Sequence, residues 1–216
     1  MKTISILSQK GGSGKTTLSL HLASAATEAV KLAVVIDLDP QGSATTWYAA
    51  RTRAGHSKDP FIQPTHPAQL KSILKACEEQ GVDFVFIDTA PQSDNIAVEA
   101  ARLSDVVLIT CRPSVMDLRA ISNTLRLAEI AQVKPYIILT QIEPSGSRES
   151  EATQTLKSLN VDVLPCGTGK RVAYMDALID GQTALEYEPN GKAATESRAL
   201  YEHILKLCKK RKAKAA

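Results

Sequence analysis

The chain has 216 residues, 44% of them hydrophobic and 23% charged, a balance suited to one globular domain with a single sizeable core. No apolar run reaches the length of a membrane span, and Ser5, Ser8 and Gln9 interrupt the apolar N-terminal stretch, so neither a membrane helix nor a secretory leader is expected. Formal net charge is +3, but Lys206, Lys209, Lys210, Arg211, Lys212 and Lys214 lie beyond Leu205 with no acid among them, which leaves the rest of the chain mildly acidic and suggests a polyanionic partner for its end.

Taken in chain order, short apolar runs alternate with longer amphipathic ones. Thr3–Ser8 predicts a strand, and Leu18, Leu22, Ala26 and Val30 recur at four-residue intervals to predict a helix over Lys15–Val30. Between them lies Lys10-Gly11-Gly12-Ser13-Gly14-Lys15-Thr16-Thr17, which nearly fits the phosphate-binding pattern G-x-x-x-x-G-K-[ST]. The pattern's first glycine is replaced by Gln9. Glycines at 11, 12 and 14 permit the positive φ that lets backbone N–H groups converge on phosphate oxygens. Lys15 can reach the terminal phosphates, the Thr16 hydroxyl can ligate Mg²⁺, and the helix dipole points at the anion. Strand, glycine loop and helix together predict a nucleotide-binding site.

Further strands are predicted at Ala33–Asp37, Phe84–Asp88, Val106–Thr110, Tyr136–Thr140 and Val161–Leu164. Further helices are predicted at Pro67–Gln80, Ile96–Leu103, Leu118–Ala131, Ser150–Leu159, Val172–Ile179 and Ala193–Lys210. Arg51–His66 reads as a long loop with one short strand near Phe61-Ile62. Val34-Val35-Ile36 and Phe84-Val85-Phe86-Ile87 are apolar on both faces, as parallel strands between helix layers must be. The fold expected is a single doubly wound α/β domain over residues 1–208, a mostly parallel sheet with helices on both faces, followed by a basic tail over 209–216. Asp37 and Asp39 end one strand and Asp88 another, where such a sheet brings acids over bound phosphates and Mg²⁺. Cys77, Cys111, Cys166 and Cys208 show no C-x-x-C pair and read as reduced cytosolic thiols.

These motifs resemble the ParA/MinD family of deviant Walker ATPases, and most of all its small partition and cargo-positioning members. The resemblance is carried by Lys10–Thr17, by Asp37-Leu-Asp39-Pro-Gln-Gly-Ser-Ala-Thr, by Phe86-Ile-Asp88-Thr-Ala-Pro91 and by Pro113-Ser-Val-Met-Asp117-Leu. It implies ATP and Mg²⁺ as cofactors and a homodimer that sandwiches two ATP molecules. Lys10 would cross to the partner's γ-phosphate, with Lys15 and Thr16 on phosphate and Mg²⁺. Asp39 would orient the attacking water, and Asp37 and Asp88 would be the acids on the Mg²⁺ side. Thr140-Gln141 stands where many relatives have an adenine-reading Asn, which directs attention to Thr140 and to backbone near Pro165 and Cys166. The resemblance further implies non-specific DNA as a partner, nucleoid association, and a ParB-like or adaptor protein that stimulates hydrolysis. Lys170, Arg171, Lys192, Arg198, Lys206, Lys209, Lys210, Arg211 and Lys212 are the regional candidates for DNA contact. The alternative is a MinD-like membrane-surface switch, but the end of this chain lacks bulky apolar residues among its lysines. A metabolic enzyme of the same fold would need substrate residues or paired cluster cysteines that are not evident.

Overall fold

The computed structural model describes residues 1–144 and 147–215, with side chains through Lys209. Its elements are β1 (Lys2–Leu7), α1 (Lys15–Glu28), β2 (Ala33–Asp37), α2 (Ser43–Arg53), β3 (Phe61–Pro64), α3 (Leu70–Glu79) after a 3-10 turn at Pro67–Gln69, and β4 (Phe84–Asp88). Then come α4 (Asp94–Arg102), β5 (Val106–Cys111), α5 (Val115–Ile130), β6 (Pro135–Leu139), α6 (Arg148–Ser158), β7 (Asp162–Val163), α7 (Ala173–Ile179), α8 (Ala184–Tyr187) and α9 (Lys192–Ala215). The strands form one seven-stranded sheet in the order β3-β2-β4-β1-β5-β6-β7. Each pairing is parallel. β1 lies between β4 and β5, where the winding reverses, so the loop after β1 opens into the crevice at the carboxyl ends of the strands.

Strands β2 and β4 are buried at every position, as their two-faced apolarity requires. Helix α1 departs from the amphipathic reading. Leu18 through Ala26 are all buried, because α1 packs under α9 as well as on the sheet. Small residues Ala23, Ala25 and Ala26 let its neighbours approach. Val30 is no part of this helix: it follows the C-cap with φ 58 and is 91% exposed. At the other end, α9 turns Leu200, Tyr201, Ile204, Leu207 and Cys208 into the core. Cys208 is its last buried position described, yet the helix continues to Ala215, so the basic end prolongs α9 rather than hanging from it.

Helix α2 is absent from the predicted helices, and only its end, Arg51–Arg53, overlaps the stretch read as a loop. Its buried positions are Ala44, Trp47 and Arg51, a helical spacing in which the last apolar place is taken by an arginine. Arg51 is 2% exposed and fully engaged. Its guanidinium donates to the carbonyls of Ser57, Asp59 and Gly181 and, through both terminal nitrogens, to the Glu186 carboxylate at 2.6 and 3.0 Å. Trp47 lies beneath it at 5.2 Å and donates from Nε1 to the Gln182 carbonyl. Gly181, with φ 70, allows this approach, since a Cβ there would lie 2.1 Å from the Arg51 nitrogen. Burial alone would raise the Glu186 pKa, but Arg51 and the Thr183 N–H reverse this and hold it below the usual carboxylate range.

Replacing Arg51 by Met would strand these carbonyls and the carboxylate. We expect a loss of about 3 kcal/mol, discounted for the partial exposure of Glu186, read as a lowered urea midpoint with an unchanged slope. A lowered folded-state pKa stabilises above the unfolded value and is lost as pH falls through it. The wild-type advantage over Arg51→Met should therefore shrink in acid.

Candidate nucleotide-binding site

The loop between β1 and α1 takes the form its glycines allow. Gly12 and Gly14 have φ 68 and 90, while Gly11 does not need a positive φ. The loop is held from behind by the ends of two strands. Thr110 Oγ1 donates to Ser13 Oγ at 2.9 Å, Thr140 Oγ1 to the Ser13 carbonyl at 2.8 Å, and Gln141 Nε2 to the Gly12 carbonyl at 2.8 Å. Ser13 thus serves through its side chain too, a contact that its sequence context did not reveal. Lys15 lies 7% exposed at the first turn of α1, its Nζ 3.4 Å from the Lys10 carbonyl. Burial lowers the Lys15 pKa, opposed by the charges of Asp88 and Asp39. A phosphate arriving over it would supply the missing counter-charge.

Thr16 Oγ1 donates to Asp88 Oδ2 at 2.6 Å. The other oxygen, Asp88 Oδ1, is buried and has no hydrogen-bond partner. Burial pushes the Asp88 pKa up to about 7; the Thr16 hydrogen bond opposes the shift and the Asp37 charge adds to it. Asp37 is its register partner on β2. An orphaned carboxylate oxygen, a hydroxyl and a second acid beside it fit a hard divalent cation that keeps most of its other ligands from water and phosphate. No group of three or more His, Cys, Asp or Glu suited to a metal occurs among the described residues.

Asp37 and Asp39 do not point the same way. Asp37 is buried and folds onto its own loop, with Oδ1 accepting from the Asp39 N–H and Oδ2 accepting from the N–H and hydroxyl of Thr45 at 3.0 and 2.8 Å. It thereby fastens the start of α2. Asp39 is half-buried, accepts from the Gln41 N–H at 2.9 Å, and lines the phosphate cavity. That cavity, about 570 Å³, is walled by Gly11–Thr17, Asp39, Trp47, Arg53 and Ile179, among others.

A second cavity of about 170 Å³ adjoins it at Gly14 and Thr17, walled by His21, Thr140, Gln141, Thr168–Arg171, Tyr174 and Met175. This is where a base attached to phosphates in the first cavity would lie. Thr140 is present but its hydroxyl is spent on Ser13; Pro165 lines neither cavity, and the wall is built from residues three to six positions later. Lys10 is set apart from the rest of its motif. It lines a small cleft with Ser8, Asp117 and Thr124 rather than the phosphate cavity, and has no ion pair among the described residues. The Asp117 carboxylate itself is taken by Arg112 and Ser114.

Three of the regional basic residues are ion-paired. Lys170 pairs with Glu143 at 2.9 Å, Arg171 with Glu196 at 2.8 Å, and Arg198 with Glu28 at 2.7 Å, so their charges are met within the chain. Lys192, Lys206 and Lys209 carry no ion pair among the described residues, and the last two are exposed. The side chains of Lys210, Arg211 and Lys212 lie outside the described residues.

A family model described as CobQ/CobB/MinD/ParA nucleotide binding domain matches residues 4–184. The chain is 31% identical over 206 residues to a maintenance of carboxysome distribution protein A from Gloeobacter kilaueensis, covering 94% of this chain and 92% of that one. Among solved structures it is similar to the ATP complex of a Cyanothece McdA variant (TM-score 0.75, 17% identity, 96% of each chain). It is also similar to the Mg-ADP complex of the septum site-determining protein MinD from Pyrococcus horikoshii (TM-score 0.76, 20% identity, 97% of this chain and 98% of that one). The loop geometry, the strand-end acids and these matches converge: the chain belongs to the CobQ/CobB/MinD/ParA nucleotide-binding domain family, on its ParA/MinD side.

Proposed function

We propose that this protein is an ATP-driven positioning switch that binds ATP with Mg²⁺, pairs with a second copy, holds non-specific DNA while paired, and hydrolyses ATP to let go. The observation that carries the reading is Lys10. Every other residue of its motif through Thr17 lines the phosphate cavity, while Lys10 lies half-buried outside it with no ion pair among the described residues. A lysine placed so can serve a phosphate held by a second copy. Exposed Val115 and Met116 on one side and Met175 and Ile179 on the other give the same carboxyl-end face apolar area to bury.

In this reading Lys15 and the loop N–H groups hold the phosphates, while Thr16 and Asp88 hold Mg²⁺ with Asp37 adding negative charge behind them. The cation, when bound, neutralises charge developing on the phosphates. Asp39 orients the water, since it is the acid that lines the cavity. The carboxysome-distribution relative favours a large protein cargo over a plasmid, with an adaptor protein that stimulates hydrolysis. DNA contact falls to Lys192, Lys206, Lys209 and the basic residues beyond them. The membrane alternative loses support, because the described apolar side of α9 is already spent on the core.

Lys15→Ala should lower ATP affinity by a hundredfold or more, since a buried charge-assisted hydrogen bond to phosphate is removed, measured with a fluorescent nucleotide. Lys10→Ala should bind ATP as a monomer yet fail to dimerise, which light scattering in ATP and in ADP will show. A normal ATP dimer in that variant would reject the role in trans.

Asp39→Ala should keep ATP and Mg²⁺ affinity within a few-fold and slow phosphate release by about a hundredfold or more, accumulating as an ATP-bound dimer. Loss of ATP binding instead would move Asp39 into the binding set.

Deleting 209–216 removes five positive charges beyond the last buried turn. Folding and ATP binding should survive. DNA affinity should fall, and the slope of log affinity against log salt should flatten by roughly 0.9 for each phosphate no longer neutralised. Unchanged slope and affinity would exclude the end of α9 from DNA contact.

A further inference from the structure

We infer that Arg112 keeps Lys10 available to a second copy by occupying Asp117, the acid that Lys10 would otherwise meet. The inference rests on the role in trans proposed above for Lys10 and adds a positioning residue to it. Lys10 and Asp117 line one cleft of about 10 Å³, room for about one water, together with Ser8, Thr110 and Thr124. Among the described residues of that lining, Asp117 is the one acid and Lys10 the one cation. Opposite charges set so close ordinarily pair, and the flexible four-carbon stem of a lysine can close a gap of this size. Yet the Lys10 ammonium has neither an ion pair nor a hydrogen bond among the described residues.

The reason is that both oxygens of Asp117 are already engaged. Its side chain is 5% exposed, Oδ1 accepts from Arg112 Nε at 3.1 Å, and Oδ2 accepts from the Ser114 hydroxyl. Ser114, the N-cap of α5, accepts in turn from the Asp117 N–H at 3.2 Å, which fixes where the carboxylate stands. Arg112 directly follows β5, so guanidinium and acid belong to one short strand-to-helix link. A guanidinium is more weakly hydrated than an ammonium, so Arg112 holds a buried carboxylate more readily than Lys10 does. A carboxylate this buried is costly without a counter-charge, and the neutral Ser114 hydroxyl supplies none. With Arg112 removed, Lys10 is the cation at hand. It would turn onto its own chain, and the charge meant for the partner's phosphate would be neutralised. The segment Pro113–Leu118, which lines no part of the phosphate cavity, thereby has a task at the pairing face.

Arg112→Met keeps an apolar stem and removes the charge. With Mg²⁺ it should bind ATP within about twofold of wild type, because Lys15 and the glycine loop are untouched. A copy whose Lys10 is uncommitted about a tenth of the time forms a symmetric dimer roughly a hundredfold more weakly, since each copy contributes one. Light scattering across a concentration series in ATP reads that shift. Adding Asp117→Asn to Arg112→Met leaves Lys10 no carboxylate to meet, and should return dimerisation to within about threefold of wild type. A merely structural Arg112, or one that touches the partner itself, predicts no such rescue, and its absence in a folded double variant would overturn the inference. Wild-type dimerisation in Arg112→Met would do the same. A second readout needs neither dimer nor double variant: acetylation of the Lys10 amine in the nucleotide-free chain, followed by peptide mass spectrometry. Lys10 should react at least about fivefold more slowly in Arg112→Met, because a carboxylate beside it holds the amine protonated. Equal rates would reject the guarding role. A wild type that forms no ATP dimer would instead sink the role in trans, and the labelling would still decide whether Arg112 keeps Lys10 from Asp117.

Discussion

Lys15 and Asp88 are buried within one small volume without having all of their charge or hydrogen-bonding capacity met, and the molecule is arranged around that deficit. Lys15 has only a long contact to a carbonyl, and Asp88 has one oxygen with no partner. A low-dielectric interior makes unmet groups costly. The cost is sustained by a heavily cross-linked frame: β1 and β4 in register at the sheet centre, α1 buried on all sides, and the glycine loop tied by Thr110, Thr140 and Gln141. Stability contributed by packing supports an opening that only a phosphate and a cation would satisfy.

The acid loop after β2 is tied into the rest of the molecule. Asp39 faces the cavity, Asp37 fastens Thr45 at the start of α2, and the far end of α2 carries Arg51, locked to Glu186 of α8. His21 ties the first turns of α1 to Ala184, the first residue of that same short helix. Two routes from the phosphate site thus converge on α8, which packs against α9. A shift of the Asp39 loop has rigid elements to act on rather than a slack connection.

The sheet and most helices were legible because their apolar periods are strong: β2 and β4 match residue for residue, and the glycine loop announced the site. What stayed hidden shares one physical cause, a polar residue in a place usually apolar or glycine. Arg51 at the third buried position of α2 erased the period that would have revealed the helix, and its compensating partner lies in α8, far along the chain. Gln141 has no glycine to betray its left-handed backbone. Pro165 lines neither cavity, because the wall of the second is built three to six residues further on, at Thr168–Arg171. The acids lie at the strand ends as expected, but the direction of each side chain depended on Thr45, in a helix not anticipated, and on the turn at Gln41 before it.

The structure narrows the regional reading of the basic residues for a related reason. Counting charges along the chain ignores which of them have found acids, and three of the candidates are paired with Glu143, Glu196 and Glu28. What remains is narrower, a positive end on one long helix whose inner side is committed to the core. A single such end, exposed and screened by salt, holds a polyanion weakly. Two ends brought together in one assembly gain by effective concentration, since the second contact becomes intramolecular. In the proposed reading, a basic site limited to the end of α9 would make attachment depend on pairing, and pairing on the nucleotide. On that reading, a larger basic surface would hold DNA in every state and would leave hydrolysis nothing to switch.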